Sequence, residues 1–173
     1  LDAAHTLFSV IMQIPPVNPS TDLRITLLLR LTGDVLGSIP GYSADSPTLE
    51  ALVAWIRDLD AGWVATLKGQ GWDVSSSEAH DVLLPQGKWS RPMSTTERAR
   101  LRSLIIGGTN NLEEWLANSA KAEESLEGAL VRMGLERFVF EDLFVNTLAE
   151  MGALGGIRVS LDPTTSRPND SAQ

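Results

Sequence analysis

Apolar side chains recur along this chain at steps of three and four residues, the spacing of helices that bury one face. Leu7, Val10, Ile11 and Ile14 outline a first helix over residues 1–14. Pro15-Pro16 stops it, because neither proline donates a backbone hydrogen bond and each restricts the residue before it. A second helix, capped by Ser20 or Thr21, runs to about Ser38. Its apolar residues, among them Leu23, Leu27, Leu28, Leu31 and Val35, cover more than one face, which predicts a central helix surrounded by others. Pro40-Gly41 interrupts the pattern. Ser46-Pro47 restarts it, with Ser46 as N-cap and proline at the first helical position. The third helix carries the clearest stripe: Leu49, Leu52, Ile56, Leu59, Trp63 and Thr66 or Leu67. Trp55 falls off this stripe, and so do Asp58, Asp60 and Lys68, which are expected to face solvent. Gly69 and Gly71 end the helix.

Between residues 72 and 93 the periodicity disappears. Ser75, Ser76, Ser77, Pro85, Gly87 and Pro92 mark a long irregular connection, in which Val82, Leu83 and Leu84 could form one short regular piece. Ser94-Thr95-Thr96-Glu97 is a capping box that opens the fourth helix. At Gly107-Gly108 two readings stand: the helix ends and is recapped by Asn110 or Asn111, or it continues. Leu101, Ile105, Gly108, Leu112 and Trp115 keep phase across the glycines. Further helices are expected around 122–133 and 138–151, the second with Phe140, Leu143, Phe144, Leu148 and Met151 on one side. Gly152, Gly155 and Gly156 close the pattern, residues 157–161 could add a strand, and 163–173 have a disordered composition. The expected class is all-α: one domain over 1–161, an antiparallel bundle of about five to seven helices with one long irregular loop, then a disordered tail over 162–173.

Composition narrows function more than fold. A chain of 173 residues, 43% apolar and 21% charged, has the make-up of one globular domain. A formal charge of -8 disfavours nucleic acid and anionic membrane, whose own charge would repel it. The longest apolar stretch, 23–39, contains Arg24, Arg30 and Asp34 and is too charged to span a bilayer. Cysteine is absent, which removes disulfides, thiolate metal sites and cysteine nucleophiles together. That absence leans towards a reducing compartment, so an intracellular location, cytoplasm or nucleus, is expected. The opening Leu1-Asp2 reads as an excised or processed segment.

Candidate chemistry is sparse. Ser75–Ser77, His80 and Asp81 hold the residue types of a catalytic triad, but they crowd one polar loop, and no nucleophile elbow exists. His5 and His80 are the only histidines, and acidic pairs such as Glu113-Glu114 diverge by about 100° on a helix. Gly107-Gly108-Thr109 lacks the lysine of a phosphate loop; a helix break or a close helix crossing explains it better. No enzyme activity, metal or cofactor is therefore expected.

The most suggestive segment is 72–102. Lys88, Arg91, Arg98, Arg100 and Arg102 make it basic within an acidic chain, and Trp72 and Trp89 add large aromatics. Trp72, Lys88, Trp89, Arg91, Arg98 and Arg102 are the expected partner-binding residues, facing a protein with an acidic or phosphorylated peptide segment. The competing reading makes the tryptophans pins that hold the loop down, and the arginines a solvated helix face. The expected function is a non-catalytic helical protein-interaction domain, as adaptor, scaffold or subunit of a complex. A helical enzyme with dispersed acid and base residues, or a carrier of an apolar ligand, are the alternatives.

Overall fold

The computed structural model describes residues 1–83, 91–122 and 143–155. Helices dominate: α1 (Asp2–Met12), α2 (Ser20–Ser38), α3 (Ser46–Leu67), α4 (Thr95–Ala122) and α5 (Val145–Gly155). One 3-10 turn (Ile39–Gly41) prolongs α2. Strands β1 (Gly71–Asp73) and β2 (Glu78–His80) form an antiparallel hairpin after α3. The expected helix around 122–133, Phe140, the strand at 157–161 and the tail at 162–173 lie outside the described residues.

The core runs along α3. Leu49, Leu52, Ile56, Leu59 and Trp63 are all buried, as their spacing demands. Trp55 is buried too, so the covered face of α3 is broader than one stripe. Glycines set how closely other elements approach. A methyl group at Gly62 would stand 2.6 Å from the Phe8 ring of α1, and one at Gly108 would stand 2.5 Å from Leu36 of α2. Gly108 therefore marks a close crossing inside one continuous 28-residue α4, not its end.

α2 packs against α1 and α4 and buries Leu28, Leu31, Val35 and Leu36. It is not apolar-surrounded, contrary to expectation. Leu23 and Leu27 are 54% and 37% exposed, so one side of α2 stays uncovered although α1, α4 and, at Thr32, α3 all meet it. On α1 the core face is Phe8, Ile11 and Met12, while Leu7 and Val10 are exposed. The buried face of α2 instead includes Arg24, in phase with Leu28 and Leu31.

Helix ends also correct the sequence reading. The N-cap of α3 is Asp45, not Ser46: its Oδ1 accepts from the Thr48 amide at 2.9 Å. That bond and the Ser43 hydroxyl hold the Asp45 carboxyl below its ordinary range. α2 begins at Ser20 with no side-chain cap. α4 does open on the expected capping box. The Glu97 amide donates to Ser94 Oγ at 3.2 Å, and the Ser94 amide donates to Glu97 Oε2 at 2.7 Å. Gly69, at φ 68°, provides the left-handed residue just past α3.

The hairpin replaces part of the expected irregular loop. Asp73 Oδ1 accepts from the Ser75 amide and hydroxyl at 2.8 and 2.6 Å, and Ser77 takes φ 55°, so the serines build a tight turn. Gly71 faces His80 across the strands, where a Cβ would lie 2.4 Å from the imidazole Nε2. Only a glycine lets that ring rest over the backbone. Residues 81–83, directly after β2, have no regular structure, and Leu83 is 96% exposed.

Candidate functional site

Asp60 was expected in solvent, yet it is buried and holds α5 in place. Its Oδ1 accepts from the Thr147 amide at 2.8 Å and the Thr147 hydroxyl at 2.6 Å, and its Oδ2 accepts from Asn146 Nδ2 at 2.8 Å. The first amides of α5 need acceptors, and a side chain of α3 supplies them from outside the helix. Lys68, the residue just past α3, meets Glu150 of α5 at 3.4 Å. Trp72 is fixed as well. Its ring packs edge-on against Phe8, centroids 5.7 Å apart at 82°. Between α3, the hairpin and α5 these contacts leave a cleft of about 740 Å³. Trp72 lines it with Val64, Ala149 and Asn146, and Lys68, Glu78 and Glu150 supply its charges.

The basic segment divides. Arg91 is half-buried and committed: its Nε donates to Asp22 of α2, and its Nη1 and Nη2 donate to Glu97 at 3.2 and 2.8 Å. These bonds, first to Glu97 and then to Asp22, raise the arginine's pKa. Arg91 thus straps the entry of α4 to the start of α2. Arg98 and Arg102 lie one turn apart on α4, half-buried and exposed respectively, with no ion-pair partner among the described residues. Ile106, one turn later, is exposed. Arg100 projects to another side, into a groove of about 630 Å³ between α2 and α4 beside Leu29, Asp34 and Leu104. No described contact joins Trp72 to these arginines. Lys88 and Trp89 lie outside the described residues.

Glu97 is the acidic centre of the strap. Burial opposes its charge, but the Arg91 guanidinium and the Ser94 hydroxyl and amide outweigh it and bring the pKa down to about 2. A carboxyl whose pKa is depressed by folding contributes stability above its unfolded value, near 4.5, and loses it as pH falls towards 2. With solvent screening, the loss at low pH should be about 1–2 kcal/mol. Denaturant unfolding of the wild type and of Glu97→Gln from pH 6 to pH 2 measures it: the two curves should converge at acid pH. Parallel curves would remove Glu97 from the acid response.

The residues of the imagined triad do not converge. Ser75 is bound to Asp73, the His80 ring lies over Gly71, and Asp81 accepts from Gln70 Nε2 at 2.9 Å. His5 sits 3.6 Å from Asp58, and among the described residues no three potential ligands gather as a metal would require. No described helix is long and apolar enough to cross a membrane. The Asp60 anchor and the Arg91 strap escaped sequence reasoning; the one available signal was the paired Arg91 and Glu97 around the capping box. No protein-family model matches the chain, and neither curated proteins nor solved structures provide a match.

Proposed function

We infer that the chain is a non-catalytic helical protein-interaction domain, an antiparallel bundle serving as adaptor or complex subunit, that docks an acidic segment of its partner on α4. The observation that carries this reading is the stripe Arg98, Arg102, Ile106. Two cations without ion-pair partners among the described residues and one exposed apolar side chain recur at steps of four, in a chain with eight excess acids. Such a stripe supplies a charged rim and an apolar foothold, and the negative remainder of the molecule steers an acidic segment towards it. Exposed Leu7, Val10, Leu23 and Leu27 on α1 and α2 add apolar surface of the kind a complex subunit carries.

The test uses a fluorescent acidic phosphopeptide and the double variant Arg98→Glu, Arg102→Glu. Neither arginine makes an ion pair among the described residues, so the midpoint of thermal unfolding should hardly move. Binding should weaken by about tenfold or more, and wild-type binding should fall steeply with added salt. Undiminished binding by the double variant would remove α4 as the docking face.

A further inference from the structure

We propose that the cleft between α3, the hairpin and α5 binds a monovalent organic cation: an ammonium or guanidinium group carried on an apolar body. This inference does not depend on the docking role of α4.

The cleft has the size of a small-ligand site, about 740 Å³, and its three walls are fixed before any ligand arrives. Asp60 clamps α5 to α3 through Asn146 and Thr147. The Trp72–Phe8 packing secures the hairpin. A ligand therefore pays little to order the site.

The lining is selective in charge. Val64, Ala61, Ala79 and Ala149 are apolar, and Trp72, 7% exposed, adds part of its indole. The ionised groups are two carboxylates, Glu78 on the hairpin and Glu150 on α5, against one ammonium, Lys68. Lys68 is already engaged by Glu150 at 3.4 Å, whereas Glu78 has no ion pair among the described residues. One negative charge is left over, beside an indole and an apolar wall. That combination suits a cation: the carboxylate attracts it, and the alanines, the valine and the small accessible part of Trp72 cover its hydrocarbon part. An anion would meet Glu78 unopposed, and a neutral ligand would gain nothing from it.

The same chemistry occurs in a free arylalkylamine and in the lysine or arginine side chain of another protein. Both are tested on the isotope-labelled chain by NMR titration. The probes are phenethylammonium, its neutral analogue phenethyl alcohol, phenylacetate, and a short peptide with a single lysine. Shifts should concentrate at the Trp72 indole and at the Asn146 and Ala149 amides, for the ammonium and not for the alcohol or the acid. Glu78→Gln, an exposed substitution that leaves the fold alone, should weaken binding by about two- to fivefold. Ala149→Leu should crowd the cleft and weaken the shifts without lowering the melting temperature. Binding by the lysine peptide alone would assign the cleft to a protein side chain, and binding by phenethylammonium alone to a small molecule; either supports the proposal. Equal binding of all three small probes, shifts scattered over the surface, or no shift with any cation would overturn it.

Discussion

Asp60→Ala should destabilise the protein by about 3 kcal/mol, one of the two largest effects expected of a single substitution here. The residue looks dispensable on α3 alone. It is costly to lose because α5 depends on it. Removing the carboxylate leaves the Thr147 amide without its acceptor in a buried place and frees Asn146, while the Thr147 hydroxyl keeps only the Asp60 backbone carbonyl at 3.2 Å. A buried donor left unsatisfied costs about 1–3 kcal/mol, and the positive end of the α5 dipole also loses its counter-charge. Asp60→Asn should fall between: its amide oxygen can still accept from Thr147, but its NH2 would confront Asn146 Nδ2. Urea unfolding of the three proteins provides the ranking. A loss below about 1 kcal/mol for Asp60→Ala would mean that the first turn of α5 finds other acceptors.

The second large effect lies at Arg24. Its side chain is 0% exposed, and burial lowers its pKa to about 10. Nη1 donates to the Gln70 carbonyl at 2.9 Å and Nη2 reaches Met12 Sδ at 3.5 Å, while Nε has no hydrogen-bond partner. No carboxylate among the described residues pairs with it, so the charge bears its desolvation with one good acceptor. Arg24→Ala opens a cavity among α1, α2 and the end of α3 and strands the Gln70 carbonyl, for an expected cost of about 3–5 kcal/mol. Arg24→Met keeps most of the volume and removes the buried charge. It should lie within about 1 kcal/mol of the wild type, since apolar replacements of buried ions are often neutral or better. Equal losses for the two variants, read from chemical denaturation, would instead show that the guanidinium hydrogen bond dominates.

These two residues also mark where the sequence was legible. Periodicity reports how a helix divides its own surface, and it placed the α3 stripe, the bounds of α2 and the capping box at Ser94 correctly. It cannot report a partner that arrives 86 residues later, so Asp60 read as a solvent-facing acid. Arg24 did leave a signal, because it is in phase with Leu28 and Leu31 on the buried face, but its charge argued against that place. The hairpin was hidden by brevity: three residues per strand are too few for alternation to stand out. In the candidate site, the segment 72–102 combines separate surfaces. Trp72 belongs to the cleft, Arg91 to the strap, and Arg98 with Arg102 to the α4 stripe. Proximity in sequence had suggested one patch; the hairpin and the strap pull its members apart.

The Trp63 indole N–H donates at 3.1 Å to Thr32 Oγ1, whose own hydroxyl donates to the Leu28 carbonyl at 2.7 Å. Both side chains are fully enclosed where α3 meets α2. A proton so placed can reach water only when those helices separate. In deuterium exchange followed by NMR, the Trp63 indole signal should therefore disappear at the rate of global unfolding, tracking denaturant as the whole chain does. Exchange faster than that would expose an opening of α2 from α3 that no equilibrium melt could see.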